Sequence, residues 1–506
     1  MGLVRSALRR APRADFAGAS MNRLVLDWIQ SHRSVDQEIS GSLVTLRDRA
    51  RELVRNTSWV RRYVRLLSQN VVGPHGITLQ GRLRDPRTGA PLEAANASLE
   101  AAWDDFGRRG TFTVDGKLSR RGCERLLMRN LPTDGEILIR LVRGFDNGYG
   151  FALQVLDPDQ LDQDYNVAQL EGGNEIRMGV EMDRWGRPVA YHVWSSHPSE
   201  FVRLRERKRI PAEDMIHLGD PDRPAQTRYV PWLASVMLDI NMLRGYFEAE
   251  LIAARIAASQ GGWFTRAADD VGSTETDPEK AKQPIVMEME PGTWTELPPG
   301  LTAEATKAEH PTAAFPDFVK AVLRSVATGL GISYNALAND LEGVNYSSIR
   351  AGMLDERDAY RDVQQWFIEG FHERVFEAWL PWALLAGKLD ARVPLVRYRD
   401  VAWQPRGWSW VDPEKDVDAT IKGIDARLTS RSAELAKQGI DFEEVLEEQA
   451  KEEALMKAKG LLPVVKPAAS PFGAPPAPPA GENGKNRLLA DPLALRALGV
   501  PDAVSA

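Results

Sequence analysis

The chain has 506 residues, 43% of them hydrophobic and 27% charged, which predicts a folded protein of two to four domains at about 150 residues per domain. Its net charge of −7 excludes a protein that is polycationic as a whole. The single cysteine, Cys123, excludes an internal disulfide framework and a Cys-rich zinc site. Because no run of about 18 apolar residues occurs, we predict no membrane-spanning helix.

The beginning of the chain is basic and lacks the apolar stretch of a secretory signal. We therefore predict a mobile basic arm over residues 1–40. Its first residues also fit a myristoylation pattern, and its arginines fit an organellar transit peptide, but both patterns are short and degenerate.

Helical spacing dominates the next part of the chain. From residue 43 to residue 71, apolar side chains recur at three- and four-residue steps, which predicts one continuous helix with a single buried face. The Gly and Pro that follow end it. Two further helices are predicted over 92–109 and 118–131.

The periodicity then changes, and residues 135–220 are predicted to form a β-rich unit inserted in a helical chain. The predicted strands are 136–142, 151–156, 180–183, 189–194 and one short strand over 209–217.

Helical spacing returns at residue 230. The predicted helices are 230–260, 314–330, 345–378 and 412–459. Residues 261–310 interrupt them with a polar, Pro- and Gly-rich stretch that contains a short strand over 285–287. Residues 463–479 are rich in Pro and Ala, which predicts an extended linker.

Motifs for catalysis are incomplete. Residues 110–117 (GTFTVDGK) resemble a phosphate-binding loop, but five residues separate the glycines where the motif has four, and Leu118 stands where it has Ser or Thr. Neither HExxH nor GxSxG occurs. Cys123 lies in a basic helical segment, and a small core residue is the favoured interpretation. The motifs therefore predict no enzyme and no cofactor.

A cluster of aspartates over residues 157–164 raises the question of a metal site. A calcium-binding loop beginning at Asp157 needs Gly at its sixth position and Glu at its twelfth, and the chain has Asp162 and Ala168 there. We therefore predict no metal site and interpret the cluster as a solvated turn at the end of a strand.

Short segments in a fixed order carry a family resemblance. They are RARELVRN at 49–56 with RRY at 61–63, NVVG at 70–73 with GITLQ at 76–80, DGEILIR at 134–140, VLDPDQLD at 155–162 with GVEMD at 179–183, RPAQTRYVPW at 223–232 and GVNYSSIRA at 343–351. Together, over residues 40–410, they resemble the lambda family of tailed-phage portal proteins. Tyr229 departs from the pattern, since a glycine is expected in that turn.

The resemblance implies a ring, usually of twelve subunits, at one vertex of the phage capsid. Double-stranded DNA would pass through it during packaging and ejection, without sequence specificity. The implied protein partners are the terminase large subunit, head-tail connector or adaptor proteins, and the major capsid and scaffolding proteins. The ring would nucleate head assembly in the host cytoplasm and remain in the virion, with no catalytic turnover and no membrane contact.

The implied fold is α+β and portal-like, with long stem and wing helices, an inserted β-rich wing unit, a helical crown and a disordered Pro/Ala-rich tail. Its divisions are the arm (1–40), the wing (41–230, with the β-rich unit at 135–220), the first stem helix (231–260), the clip (261–310), the second stem helix (311–338), the tunnel loop (339–347), the long wing helix and following segment (348–411), the crown (412–460) and the tail (461–506).

The same resemblance nominates functional residues. They are Asp340, Glu342, Asn345 and Tyr346 in the tunnel loop, Lys320 and Arg324 on the second stem helix, and Trp263, Phe264 and Trp294 as docking anchors in the clip. An acidic or neutral bore lets DNA slide, because each Lys or Arg contact to phosphate adds affinity.

Ordinary structural roles remain open for each set. Asp340 or Asn345 could cap the following helix, Lys320 and Arg324 could form a solvated face, and the aromatic residues could pack within the clip. Two other functions also remain as alternatives. One is a packaging nuclease or ATPase, which would need a complete phosphate loop or a paired-carboxylate metal site. The other is a different assembly protein, such as a minor capsid component or a head scaffold, and a scaffold would be mostly helical, without the β-rich unit.

Overall fold

The computed structural model describes residues 32–201, 204–259, 263–266, 301–304, 314–343, 345–408 and 413–459. The chain divides into two compact units, Met1–Phe442 and Glu443–Ala506. The predicted strand over 285–287, the tail over 461–506 and residues 1–31 of the arm lie outside the described residues.

The amino-terminal part is helical. Its elements are α1 (Val35–Ser40), α2 (Leu43–Asn56), α3 (Ser58–Leu67) and a π-helical turn (Ser68–Val72). The prediction of a mobile arm reaching residue 40 is wrong, because Val35 and Ile39 are buried against Leu43 and Met178. Ser34 caps α1 by accepting a hydrogen bond from the backbone N–H of Gln37.

The predicted single helix over 43–71 is also wrong, since it breaks at Thr57. Thr57 has extended backbone angles (φ −118°, ψ 120°). Its N–H closes α2 on the carbonyl of Leu53, and its carbonyl accepts from the N–H of Arg61 to begin α3. Asn56, Thr57 and Ser58 are consecutive polar residues of a kind that favours helix ends over helix interiors.

The next helices, α4 (Glu93–Phe106) and α5 (Arg120–Asp134), lie close to their predicted bounds. Gly135 ends α5 in the left-handed conformation, with φ 83°. A Cβ at this position would lie 2.2 Å from the carbonyl carbon of Val230, so only glycine fits between α5 and the strand that follows.

The β-rich unit contains two antiparallel sheets. The first has the order β3 (Phe151–Leu156), β2 (Glu136–Arg143), β8 (Met215–Gly219), and the second β4 (Glu175–Arg177), β5 (Val180–Met182), β6 (Pro188–Trp194), β7 (Arg207–Pro211). The predicted single strand over 209–217 is therefore two strands in different sheets. Pro211 ends β7, and a 3-10 turn over Ala212–Asp214 leads into β8.

The remaining elements follow in chain order. With β1 (Thr78–Gly81) preceding them, they are α6 (Met237–Ser259), β9 (Trp263–Arg266), β10 (Leu301–Glu304), α7 (Phe315–Gly329), α8 (Tyr334–Ala338), α9 (Tyr346–Phe367), a π-helical turn (Ile368–His372), α10 (Glu373–Leu385), β11 (Val401–Gln404), α11 (Pro413–Asp425), α12 (Arg431–Lys437) and α13 (Phe442–Ala458). Antiparallel pairing joins β1 to β11 and β9 to β10.

The predicted helix over 412–459 is three helices. Arg427 and Gly439, in the two breaks between these helices, both adopt the left-handed conformation, with φ 58° and 74°. In the predicted helix over 230–260, α6 begins only at Met237, after a turn that follows Pro231.

An aromatic cluster forms the centre of the main core. Trp103 and Phe106 of α4 pack against Trp379 of α10 with ring centroids 5.0 and 5.7 Å away. This contact joins the helices before the β-rich unit to the long helical path after residue 346. Within the described residues, no helix is both long and apolar enough to cross a membrane.

Candidate functional site

The predicted tunnel-loop and stem residues come together at one place, where α7, α8 and the loop before α9 meet. Lys320 and Arg324 lie one turn apart on α7, as their spacing predicts. The chain then turns at Gly331, with φ 68°, forms α8, and leaves it at Asn339 in the left-handed conformation.

Asp340 is the centre of this group. Its carboxylate accepts a hydrogen bond of 2.8 Å from the hydroxyl of Tyr334 and one of 3.0 Å from the backbone N–H of Glu342. The Lys320 ammonium lies 3.6 Å from Asp340 and 3.7 Å from Glu342. The acidic loop is therefore partly neutralised within its own subunit. The Asp340 side chain is 23% exposed and that of Glu342 is 85% exposed.

These contacts change the pKa values of Asp340 and Tyr334. The N–H of Glu342 and the hydroxyl of Tyr334, followed by Lys320, hold the pKa of Asp340 below its ordinary value. Burial, together with the hydrogen bond to Asp340, raises the pKa of Tyr334 to about 12. The Arg324 guanidinium lies 5.5 Å from the centre of the Tyr334 ring. Asp340 is thus charged and Tyr334 neutral at physiological pH.

Two sets of contacts that sequence reasoning missed attach α8, which leads into this loop, to the rest of the fold. Arg62 of α3 donates to the carbonyl of Ala336 and, over 3.0 Å, to the side chain of Asn339. Glu356 of α9 accepts from the N–H of Ser333 at 2.7 Å, across the start of α8. Their partners are more than 20 residues away, so no local pattern indicates these contacts.

The alternative role considered for Asp340, a cap on the following helix, is not what the structure shows. Its carboxylate accepts from the N–H of Glu342, four residues before α9, and so forms a turn within the loop and does not cap that helix. Asn345 is exposed, and its carbonyl accepts from the N–H of Ile349. Tyr346 is the first residue of α9.

The predicted clip anchors are placed only in part. Trp263 and Phe264 lie in β9, where they stand opposite Glu304 and Ala303 of β10. Trp294 lies outside the described residues.

A second group of charges, also missed from the sequence, is buried at the first sheet of the β-rich unit. Glu136 of β2 is fully buried and accepts from Arg47 at 2.5 Å and from Arg228 at 2.6 Å. His217 of β8 lies 3.0 Å from the same carboxylate. Burial alone would raise the pKa of Glu136, but Arg228, Arg47 and His217 hold it well below its ordinary value.

This cluster explains the sequence departure at Tyr229. The N–H of Tyr229 donates to Glu136, and its φ is not positive, so the turn does not require glycine there. The glycine instead stands opposite, at Gly219, where a Cβ would lie 2.1 Å from the Tyr229 ring.

We interpreted the aspartate cluster over 157–164 as a solvated turn, but in the structure arginines form ion pairs with it. Arg51 binds Asp157 and Asp159, and Arg47 also reaches Asp159 at 3.2 Å. His197 lies 3.5 Å from Asp159, and its Nδ1 accepts from the N–H of Ser199. Among the described residues this is the one group with metal-ligand spacing. The arginines already compensate its carboxylates, so the donor set does not favour a cation.

Cys123 is fully buried, and burial raises the pKa of its thiol, as expected for a core residue. In the loop over 110–117, Asp115 accepts hydrogen bonds from Thr113 and from the N–H of Lys117. The loop therefore folds back on its own acid, an arrangement unsuited to cradling a phosphate.

Comparisons with known proteins agree on one family. Residues 21–364 match the family model "Phage portal protein, lambda family". The probable portal protein of Halomonas phage phiHAP-1 is 36% identical over 456 residues, covering 88% of this chain and 87% of that protein. Portal protein B of Escherichia phage lambda is 22% identical over 488 residues, covering 88% of this chain and 90% of that protein.

Among solved structures, the neck of an empty gene transfer agent particle aligns with a TM-score of 0.44 and 15% identity, covering 79% of this chain and 93% of that chain. The family model spans more than half of the chain, and the Halomonas phage relative matches nearly all of it. The chain therefore belongs to the lambda family of phage portal proteins.

Proposed function

We propose that the chain assembles into a closed ring of twelve subunits at one vertex of the phage head and acts there as the conduit for double-stranded DNA. The ring docks the terminase large subunit during packaging and the head-tail connector afterwards. It nucleates head assembly with the scaffolding and major capsid proteins in the host cytoplasm, and stays in the virion. Its role is structural. The observation that carries this proposal is the family match over residues 21–364.

The loop over 339–345 is the part of the described chain best suited to face DNA. It is exposed and acidic at Glu342, and Arg62 anchors its first residue, Asn339. Lys320 lies against its two acids, so this loop offers phosphate a weakly negative surface. Such a surface keeps contact with DNA weak, which suits transport.

The remaining divisions are assigned by the same reasoning. The helices and sheets before residue 230, with α9 and α10, form the wing, and α6 and α7 form the stem. Residues 261–310 form the clip, where Trp263, Phe264 and Trp294 meet the terminase and then the connector. The helices α11 to α13 form the crown. Long helices with large lateral faces supply the two different surfaces that a closed ring requires of each subunit.

Native mass measurement of the purified chain, with imaging of the same sample, tests the proposal. The expected assembly has a mass twelve times that of the 56.3 kDa chain and a central hole. Assembly should need no nucleotide, and Lys117→Ala should not change it. A monomer or dimer at micromolar concentration would refute the ring, and ATP hydrolysis abolished by Lys117→Ala would show a nucleotide site that we exclude.

A further inference from the structure

A basic pocket of about 360 Å³ lies between the first half of α9 and the helices α11 and α12. Arg350, Arg357 and Arg361 line it from one face of α9, and Lys437 lines it from α12. Its two acids are already engaged, because Asp416 pairs with Arg350 at 2.7 Å and Glu434 pairs with Lys437 at 2.7 Å. Arg361 also pairs with Asp358, at 2.5 Å, so the pocket's excess of positive charge lies at Arg357.

This excess is concentrated around one indole ring. The guanidinium groups of Arg357, Arg361 and Arg406 lie 6.0, 5.6 and 5.8 Å from the centre of Trp408. No carboxylate of the described chain lies within ion-pair distance of Arg357 or Arg406. Burial, and then repulsion from Arg361 and Arg406, lowers the pKa of Arg357. An anionic group brought to this place would relieve that repulsion.

An acidic pocket of about 320 Å³ lies beside the second half of the same helix. Asp362 of α9 and Glu369 of the π-helical turn that follows it line the pocket together with Asp220, against the rings of Trp232 and Trp366. Within the described chain, none of the three carboxylates has a cationic partner. Burial, and then the like charges of Asp222 and Asp362, raises the pKa of Asp220. A cation would relieve this second repulsion.

The two pockets lie on different sides of one helix. Arg357 and Asp362 are five residues apart, which at 3.6 residues per turn places them roughly 140° from each other around the α9 axis. A ligand of one charge fits only one pocket, whereas a second copy of the chain offers each pocket its opposite. In a closed ring every interface joins two different surfaces of identical subunits.

We infer that the basic pocket of one subunit faces the acidic pocket of its neighbour, so that α9 contributes both halves of a charge-complementary interface repeated around the ring. This inference rests on the proposed ring and specifies which surfaces close it. Arg357 and Arg361 meet Asp362 and Asp220 of the next subunit. Ions screen these contacts, so they weaken as salt rises.

Two charge-reversed variants test the pairing. The first is Arg357→Glu with Arg361→Glu, and the second is Asp220→Arg with Asp362→Arg. Each variant alone sets like charges against each other at every interface and should fail to close rings. An equimolar mixture restores opposite charges at every interface when the variants alternate, so rings should form again and contain equal numbers of the two. Native mass measurement reads both results.

Controls separate this inference from the ring itself. Arg82→Glu with Arg87→Glu carries the same charge change as the first variant, at exposed residues away from both pockets, and should form rings like the wild type. The pairing would be overturned if either reversed variant formed rings alone. It would also be overturned if the mixture formed no rings although both variants had the circular dichroism of the native fold.

A wild-type chain that forms no ring would refute the ring and the pairing with it. If a reversed variant does not fold, Arg357→Gln and Asp362→Asn replace it, and their rings should dissociate at lower salt than wild-type rings. Equal salt resistance would overturn the pairing.

Discussion

Replacing Glu136 by Gln tests the buried charge cluster most severely. Arg47 and Arg228 are 1% and 0% exposed, and Glu136 is the acid that both guanidinium groups share. The neutral amide would leave two buried cations without their central counterion. Removing one partner of a buried ion pair costs about 3–5 kcal/mol. We therefore expect the free energy of unfolding to fall by about this amount.

The assay is urea unfolding of the purified chain, followed by circular dichroism and by hydrogen exchange of the β2 amides. Glu52→Gln provides the matched control, because Glu52 pairs with Arg244 at the surface, where both side chains are more than a third exposed. Exposed pairs contribute about 0–1 kcal/mol. A loss of stability for Glu136→Gln no larger than that of the control would refute the reasoning.

A second variant and a pH series sharpen this result. Adding Arg228→Met to Glu136→Gln should recover part of the loss, because one uncompensated buried cation is removed. The folded-state pKa of Glu136 is depressed, so its contribution is present above its ordinary, unfolded-state pKa and is lost as pH falls through the folded-state value. The stability gap between wild type and Glu136→Gln should therefore narrow in acid. A gap that widens there would contradict the depressed pKa.

Three further predictions concern the proposed conduit. The double variant Asp340→Lys with Glu342→Lys should form rings but package DNA slowly, because it adds affinity for phosphate beside Lys320 in every subunit. The effect should be largest at low salt, where ions screen the attraction least, and timed packaging assays measure it. Trp294→Ala should leave rings intact and weaken binding of terminase or connector in a pull-down, since aromatic residues often dominate interface energies. Truncation after Leu462 should still give rings by native mass, because a Pro-rich segment has few regular hydrogen bonds to contribute.

Each of these has a control or a contrary outcome. Glu171→Lys with Glu200→Lys carries the same charge change as the loop variant on exposed residues of the β-rich unit and should package normally. Equal packaging rates for the two double variants at low salt would show that the loop does not line the DNA path. Unchanged partner binding by Trp294→Ala would remove that residue from the docking surface, and a monomeric truncated chain would show that the tail is structural.

Periodicity predicted the elements whose determinants are local. The strands over 136–142 and 151–156 and the helices over 92–109 and 118–131 lie within a few residues of their predicted bounds. The predictions were wrong where a single residue ends a helix although the apolar pattern continues past it. Thr57 divides the predicted helix over 43–71, and Arg427 and Gly439 divide the one over 412–459. The breaks depend on backbone angles, which the spacing of hydrophobic residues does not indicate.

The candidate site was predictable in composition but not in geometry. The resemblance nominated Asp340 and Glu342 in the tunnel loop and Lys320 on the second stem helix, and the structure brings these three charges within ion-pair distance. The partners Arg62 and Tyr334 were missed. Arg62 acts across more than 270 residues, and a lone arginine on a helix surface is indistinguishable in sequence from a solvated one.

The most direct test of the central claim, that this chain forms the DNA conduit with the loop over 339–345 on its path, is photocrosslinking in filled particles. A photoreactive residue replaces Glu342, and a second particle carries it at Arg87 instead; both native side chains are exposed. We predict DNA crosslinks from position 342 in filled heads, far fewer in empty heads, and none from position 87. Filled heads that show no crosslink from position 342 would contradict the account.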